Sequence, residues 1–309
     1  PHHHSSAASD VYKRQLYLKG LFMGIAEIIP GVSGGTIAFI TGIYEELINS
    51  IKSVNSASIK LLINFKLTSF WKHINGTFLL TLFLGMLTSI LALSRVIVFL
   101  LNDHPFKIWG FFFGLIIASA IVIFGKVEKM SINVFIASII GLIISSYIAL
   151  EAPSATPNTD LFIFLSGAIA ISAMILPGIS GSFILVFLSK YEFILNSLNN
   201  FDIAVISIFI AGCVVGLVTF SRVFSYLFKK YNDIVVSVLV GFLLGSLFKV
   251  WPFYKVLEYD AYNEPIYTSP VLPSTGQENE LLYFIVFSII GFMSMWVLEK
   301  KFIGLNKEI

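Results

Sequence analysis

Glu27-Ile28-Ile29-Pro30-Gly31-Val32-Ser33-Gly34-Gly35-Thr36 interrupts an apolar run that extends from Leu16 to Ile48. A related stretch, Met174-Ile175-Leu176-Pro177-Gly178-Ile179-Ser180-Gly181-Ser182-Phe183, interrupts a second run from Leu161 to Leu198. A Pro-Gly-x-Ser-Gly block cannot continue an α-helix, because proline removes a donor and glycine favours turns. In hydrocarbon the freed N–H and C=O groups need partners, so such a break survives only inside protein or beside a water-filled cavity. Broken helices at corresponding places in two halves of a membrane protein point to a substrate site.

The composition agrees with a membrane setting. Hydrophobic residues make up 57% of the chain and charged ones 12%, with a mean hydropathy of +0.88 and 30 phenylalanines. These values exclude an ordinary soluble domain and indicate an all-α polytopic membrane protein. A net charge of +2 gives no reason to expect nucleic acid, and the sole cysteine, Cys213, excludes an intramolecular disulfide. No Cys/His cluster has metal-ligand spacing, and no cofactor is implied. Residues 1–15 read as non-native: a histidine-tag remnant followed by the adaptor-like Asp10-Val11-Tyr12-Lys13-Arg14-Gln15.

After the first broken segment come spans at 76–101, 105–124 and 132–150. After the second come spans at 203–228, 233–251 and 281–298. Gly20, Ala26, Pro30, Gly31, Ser33, Gly34, Tyr44 and Glu45 recur in the same order as Gly167, Ala173, Pro177, Gly178, Ser180, Gly181, Tyr191 and Glu192. Further on, Gly85, Ser94 and Arg95 recur as Gly212, Ser221 and Arg222, and Gly110 and Gly114 as Gly241 and Gly245. Apolar composition alone does not reproduce such an order of polar and glycine residues. The chain therefore reads as a duplication, 16–150 and 151–309.

Lysine placement sets the expected topology. If each broken segment dips into the membrane and returns, loops 49–75, 125–131 and 229–232 share one side with both termini. That side carries Lys52, Lys60, Lys66, Lys72, Lys126, Lys129, Lys229, Lys230, Lys300, Lys301 and Lys307, against only Lys107 and Lys255 opposite. If both segments crossed fully, the four lysines of loop 49–75 would move outside. The re-entrant reading gives each half three crossings, which inverts the second copy. The expected fold is an inverted-topology repeat, each half a re-entrant helical hairpin plus three transmembrane helices. The termini are expected in the cytoplasm, the acidic loop 252–280 outside, and loop 49–75 at the inner interface.

At each tip, a half-helix beginning after the break offers N–H groups and a positive dipole end, suited to an anion such as phosphate. Ser33, Gly34, Gly35 and Thr36 line the first tip; Ser180, Gly181 and Ser182 line the second, where Phe183 replaces Thr36. The competing reading is that the glycines only allow close helix packing. Arg95 and Arg222 are repeat-matched cations inside apolar spans, placed either to snorkel or to bind phosphate bidentately. Glu27, whose counterpart is Met174, is the coupling candidate. A buried carboxylate there needs an arginine, a proton, or a loosened backbone to serve. Glu45 and Glu192 read as structural residues of the hairpin ends. His73 and His104 stand in loops without catalytic partners, and no P-loop or nucleophile elbow is present.

The pattern Gly24-x-x-Glu27-x-x-Pro30-Gly31-Val32-Ser33-Gly34-Gly35-Thr36-x-Ala38 resembles the signature of the bacterial and archaeal polyprenyl-phosphate transporter family. The second Pro-Gly-x-Ser-Gly block and the overall length are also similar, over 16–305. The resemblance implies a flippase in the cytoplasmic (inner) membrane that returns undecaprenyl phosphate from the outer to the inner leaflet for cell-envelope synthesis. The polyprenyl phosphate and membrane lipids are then its partners, and protons or Na+ the candidate coupling ions. The residues alone leave two rivals: a carrier or channel for chloride or inorganic phosphate, and a membrane enzyme acting on lipid phosphate.

Overall fold

The structure, a computed structural model, describes residues 2–28, 33–151, 156–259 and 265–306. Pro30, Gly31 and Val32 of the first break therefore lie outside the described residues, as do Asp260 and Glu264 of the acidic loop and Lys307 of the tail.

The first half comprises α1 (His2–Ile28), α2 (Gly34–Ile40), α3 (Tyr44–Lys52), α4 (Ser56–Ile63), α5 (Leu67–His73), α6 (Gly76–Asp103), α7 (Pro105–Phe124) and α8 (Ile132–Leu150). The second comprises α9 (Asp160–Ile175), α10 (Gly181–Phe187), α11 (Tyr191–Asn199), α12 (Ile203–Lys230), α13 (Asn232–Val250), β1 (Tyr254–Tyr259), β2 (Pro265–Pro270) and α14 (Glu278–Asn306). Among the described residues six helices, α6, α7, α8, α12, α13 and α14, are long and apolar enough to cross a membrane. They coincide with the segments the hydropathy marks. The antiparallel ribbon β1–β2 does not follow from that reading, which treats 252–280 as loop. Its strands are edge strands with Pro265 and Pro270 at the ends, and its alternation is too weak to separate from a polar connection.

Helices α7 and α13 form the centre, about half buried (50% and 56%), whereas α12 is 11% and α14 17% buried. Phe112, Ile116, Ala120 and Ile123 repeat at helical spacing on the buried face of α7. Val236, Leu239, Val240 and Leu243 do the same on α13, and Ala38, Phe39, Ile175 and Ile179 from the broken segments fill the space beside them. The peripheral helices turn large apolar side chains outward, Leu91 on α6 (73% exposed) and Ile132 on α8 (71%) among them. An exterior this apolar is solvated by lipid, which leaves packing rather than hydrophobic burial to hold the helices together.

That packing uses small residues at the crossings. On α1 and α6, a methyl added to Gly20 would lie 2.4 Å from the Leu82 carbonyl oxygen, and one on Gly85 2.3 Å from that of Tyr17. The α9–α12 crossing is built the same way, through Gly167 against Phe209 and Gly212 against Phe164. The central spans pair across the halves. Helix α7 packs on α14 through Gly110, Gly114 and Gly291, and α13 packs on α8 through Gly241, Gly245 and Gly141. The third span of each half thus lies against the second span of the other.

Candidate functional site

The two breaks meet. Ser33 caps α2 in extended conformation, its Oγ accepting from the Gly35 N–H at 3.0 Å while its own hydroxyl donates to the Met174 carbonyl at 2.9 Å. The Gly178 N–H donates to Thr36 Oγ1 at 3.0 Å. Gly35 packs so closely on the second break that a Cβ there would be 2.4 Å from the Ile175 carbonyl oxygen. Gly178 has φ +85°, a left-handed conformation that favours glycine, and lies against the backbone of Phe242 and Leu243 in α13. Ser33 and Thr36 are both almost wholly buried, at 0% and 1%. The Met174 carbonyl and the Gly178 N–H, backbone groups flanking the second break, are therefore satisfied by hydroxyls of the first, deep in an apolar core.

The first tip differs from expectation in one respect. Its leading N–H groups are already taken: Gly34 donates to Glu27 Oε1 at 2.7 Å, Gly35 to Ser33 Oγ, and Thr36 to the Ser33 carbonyl at 2.9 Å. Glu27 thus stands where an anion would sit, held by backbone rather than by an arginine. A carboxylate at a helix N-terminus is favourable for the same reason a phosphate would be. The second tip has Met174 in place of that carboxylate, and no side chain caps α10. There Ser180 Oγ and Ser182 Oγ lie 2.8 Å apart and share a hydrogen bond.

Arg95 and Arg222 are not brought to the tips. Both are exposed, and among the described residues neither makes a hydrogen bond or ion pair. Arg95 lies in the last third of α6, and Arg222 in the last third of α12, towards Lys229 and Lys230. Three lysines that the hydropathy gave no reason to single out do reach the broken segments. Lys19 donates to the Thr41 carbonyl at the α2–α3 corner, 2.9 Å away. Lys190, 0% exposed, donates to the Thr156 carbonyl (2.5 Å) and Asn158 Oδ1 (2.7 Å), tying the α10–α11 corner to the preceding loop. Lys249, in the last turn of α13, lines a small cavity at the second tip together with Gly178, Ser180 and Phe183. Its position inside an apolar span was the available signal, hidden because topology is read from loop lysines.

A second, apolar cavity of ≈ 380 Å³ between α12 and α13 is lined by Leu176, Leu227, Val238, Leu239 and Phe242 among others. Leu176 and Phe242 belong to the break and its backing, so the cavity reaches the tip itself. Polar groups and an oily groove thus both border the second break.

Comparison with known proteins gives the family. The family profile described as VCA0040-like, undecaprenyl phosphate translocase-like, matches residues 23–265. A polyprenyl-phosphate transporter of Vibrio cholerae serotype O1 is 44% identical over 243 residues, 79% of this chain and 79% of its own length. A polyprenyl-phosphate transporter of Staphylococcus aureus is 32% identical over 253 residues, 76% of this chain and 85% of its own. No solved structure matches the chain. With its motif, its six apolar helices and its paired breaks accounted for, the chain belongs to the VCA0040-like, undecaprenyl phosphate translocase-like family.

Proposed function

We propose that the protein moves undecaprenyl phosphate, or a similar polyprenyl phosphate, across the cytoplasmic membrane, returning it from the outer to the inner leaflet. The observation that carries this reading is the junction of the two breaks: hydrogen-bonded polar backbone in an apolar core, with an apolar groove running up to it. A phosphate head needs the first and an isoprenoid tail the second. A carrier of chloride or inorganic phosphate has no use for a wholly apolar groove at its binding centre.

The inverted-repeat reading supports an alternating-access cycle. Equivalent glycines join α1 to α6 and α9 to α12, and equivalent glycines join α7 to α14 and α13 to α8. The 105° bend between α10 and α11 suits a chain that dips in and returns. Rocking one repeat against the other would open the tips first to one leaflet and then to the other. In this cycle Ser33, Gly34, Gly35 and Thr36 form the first half of the gate and Ser180, Gly181 and Ser182 the second. Glu27 is the group through which a proton or Na+ acts, because its carboxylate must leave the Gly34 N–H before another anion takes that place. Arg95 and Arg222 act at the lipid boundary, where their exposure lets them meet phosphate head groups.

The test is leaflet exchange in liposomes carrying undecaprenyl phosphate, read as the fraction hydrolysed by a phosphatase added outside. Purified protein is expected to make the inner-leaflet pool accessible within minutes. A protected fraction equal to that of protein-free liposomes would remove the proposed activity.

A further inference from the structure

We propose that Lys249, with Ser180 and Ser182, forms a subsite for the head of a phosphate monoester; this rests on the transport reading above and adds Lys249 to it. Lys249 occupies the last turn of α13, half-buried, its Nζ 4.2 Å from the centroid of the Phe183 ring. The described residues give it no carboxylate partner. A cation held over an aromatic face inside the membrane region, with no anion beside it, is a group whose partner arrives from outside the chain.

The surrounding hydroxyls divide into two kinds. Ser145 donates to the Phe242 carbonyl at 2.9 Å and Ser246 to the Leu243 carbonyl at 2.8 Å, so both of their protons are spent on backbone. Ser180 and Ser182 are bonded to each other at 2.8 Å. That contact uses one of two protons and leaves the other free to donate. When Ser182 is the donor of that bond, the free proton is that of Ser180, which lines one small cavity with Lys249; an ammonium and a hydroxyl proton there match the doubly charged oxygens of an alkyl phosphate.

Sequence comparison within the chain shows that the feature belongs to one half only. Aligning Gly110 and Gly114 with Gly241 and Gly245 places Ala118 opposite Lys249, just as Met174 is opposite Glu27. The acid stands at the first tip and the base at the second. Lys249 also lies at the end of α13 that leads into β1, so the head it takes is one arriving from the leaflet on that side. The first tip, its leading donors taken by Glu27 and Ser33, is not competing for that head.

The probe is dodecyl phosphate, measured by equilibrium binding to protein in phosphatidylcholine nanodiscs, with dodecanol as the uncharged control. Lys249→Ala is expected to weaken dodecyl phosphate at least ~10-fold, the size of one charge-assisted hydrogen bond. Lys249→Arg should stay within about threefold of wild type, and Ser180→Ala/Ser182→Ala should fall between, since neutral donors contribute less. Dodecanol binding should not change. Lys249→Gln, which keeps the stem over Phe183, replaces the alanine variant if that one does not fold. Equal binding of dodecyl phosphate by Lys249→Gln and wild type overturns the subsite. Leaflet exchange of undecaprenyl phosphate is measured on the same proteins. Exchange by wild type and by Lys249→Gln alike, with unchanged binding, sinks the subsite and leaves the transport reading standing. Lysine-dependent binding without any exchange by wild type does the reverse.

Discussion

Glu27, in α1, and Gly34, at the start of α2, are joined across a break whose middle residues are Pro30 and Gly31, and the bond of 2.7 Å between them makes the carboxylate a second cap of α2 beside Ser33. Gly34 has no room for more: a Cβ would lie 2.8 Å from Glu27 Oε1. An acceptor at this place satisfies one donor at the helix start, which is worth about 1 kcal/mol where measured for capping residues. Glu27→Ala is therefore expected to lower stability by roughly that amount. Glu27→Gln keeps an oxygen acceptor and should lose less than half as much. Melting temperatures of the two variants in the same detergent decide it, and equal values would show that the carboxylate does not cap. Glu27 itself stands out in the sequence, because its repeat partner is apolar. Its choice of the Gly34 N–H over an arginine does not, because rotation about two helix axes decides which groups it meets.

At the scale of helices, Gly114 is the tightest crossing point. A methyl there would sit 1.8 Å from the Ser288 carbonyl oxygen, on the rigid backbone of α14. Gly114→Ala forces α7 and α14 apart and is expected to cost about 1–3 kcal/mol, the range for overpacking a close contact. Gly125 is the matched control: it has helical φ, −63°, and its nearest neighbour would be the Val122 carbonyl oxygen at 3.4 Å. Gly125→Ala should be neutral or slightly stabilising, since alanine fits that conformation. Thermal unfolding of the pair, followed by far-ultraviolet circular dichroism, separates a crossing-specific loss from a general intolerance of added methyls. Comparable losses in both would rule out helix contact as the reason for Gly114. The spans themselves are legible in hydropathy, since each is a continuous apolar stretch of helical length. Which face of a span carries its neighbour depends on partners far away in the chain.

For the molecule as a whole, the topology follows from where the ends of each broken segment emerge. With Cys213→Ala as background, single cysteines at Asn158 and Asn200 bracket the second broken segment, and one at Lys129 lies beyond α8. A re-entrant segment puts Asn158 and Asn200 on the same side and Lys129 on the other. A membrane-impermeant maleimide applied to intact cells should label the first two positions and leave the third until the cells are opened. Labelling of only one of Asn158 and Asn200 would mean that the segment crosses. The packing adds a constraint of its own: because α7 joins α14 and α13 joins α8, neither half contains its own partners for these spans.

The local facts of this chain can be read along its length, because each is written in neighbouring residues. Apolar runs set the spans and Pro-Gly-x-Ser-Gly blocks set the breaks, while recurring glycines carry the proposed duplication and the lysines the proposed sides. What depended on three dimensions involves residues far apart in sequence: Ser33 bonding Met174, Thr36 receiving Gly178, and Lys249 coming to rest over Phe183 beside Ser180. The repeat-matched arginines, equivalent by sequence, proved to face outward, while an unmatched lysine reached the tip. Periodicity tells that a helix has a buried face, but the rotation that places one particular cation at the centre is settled by the packing of every helix against the others.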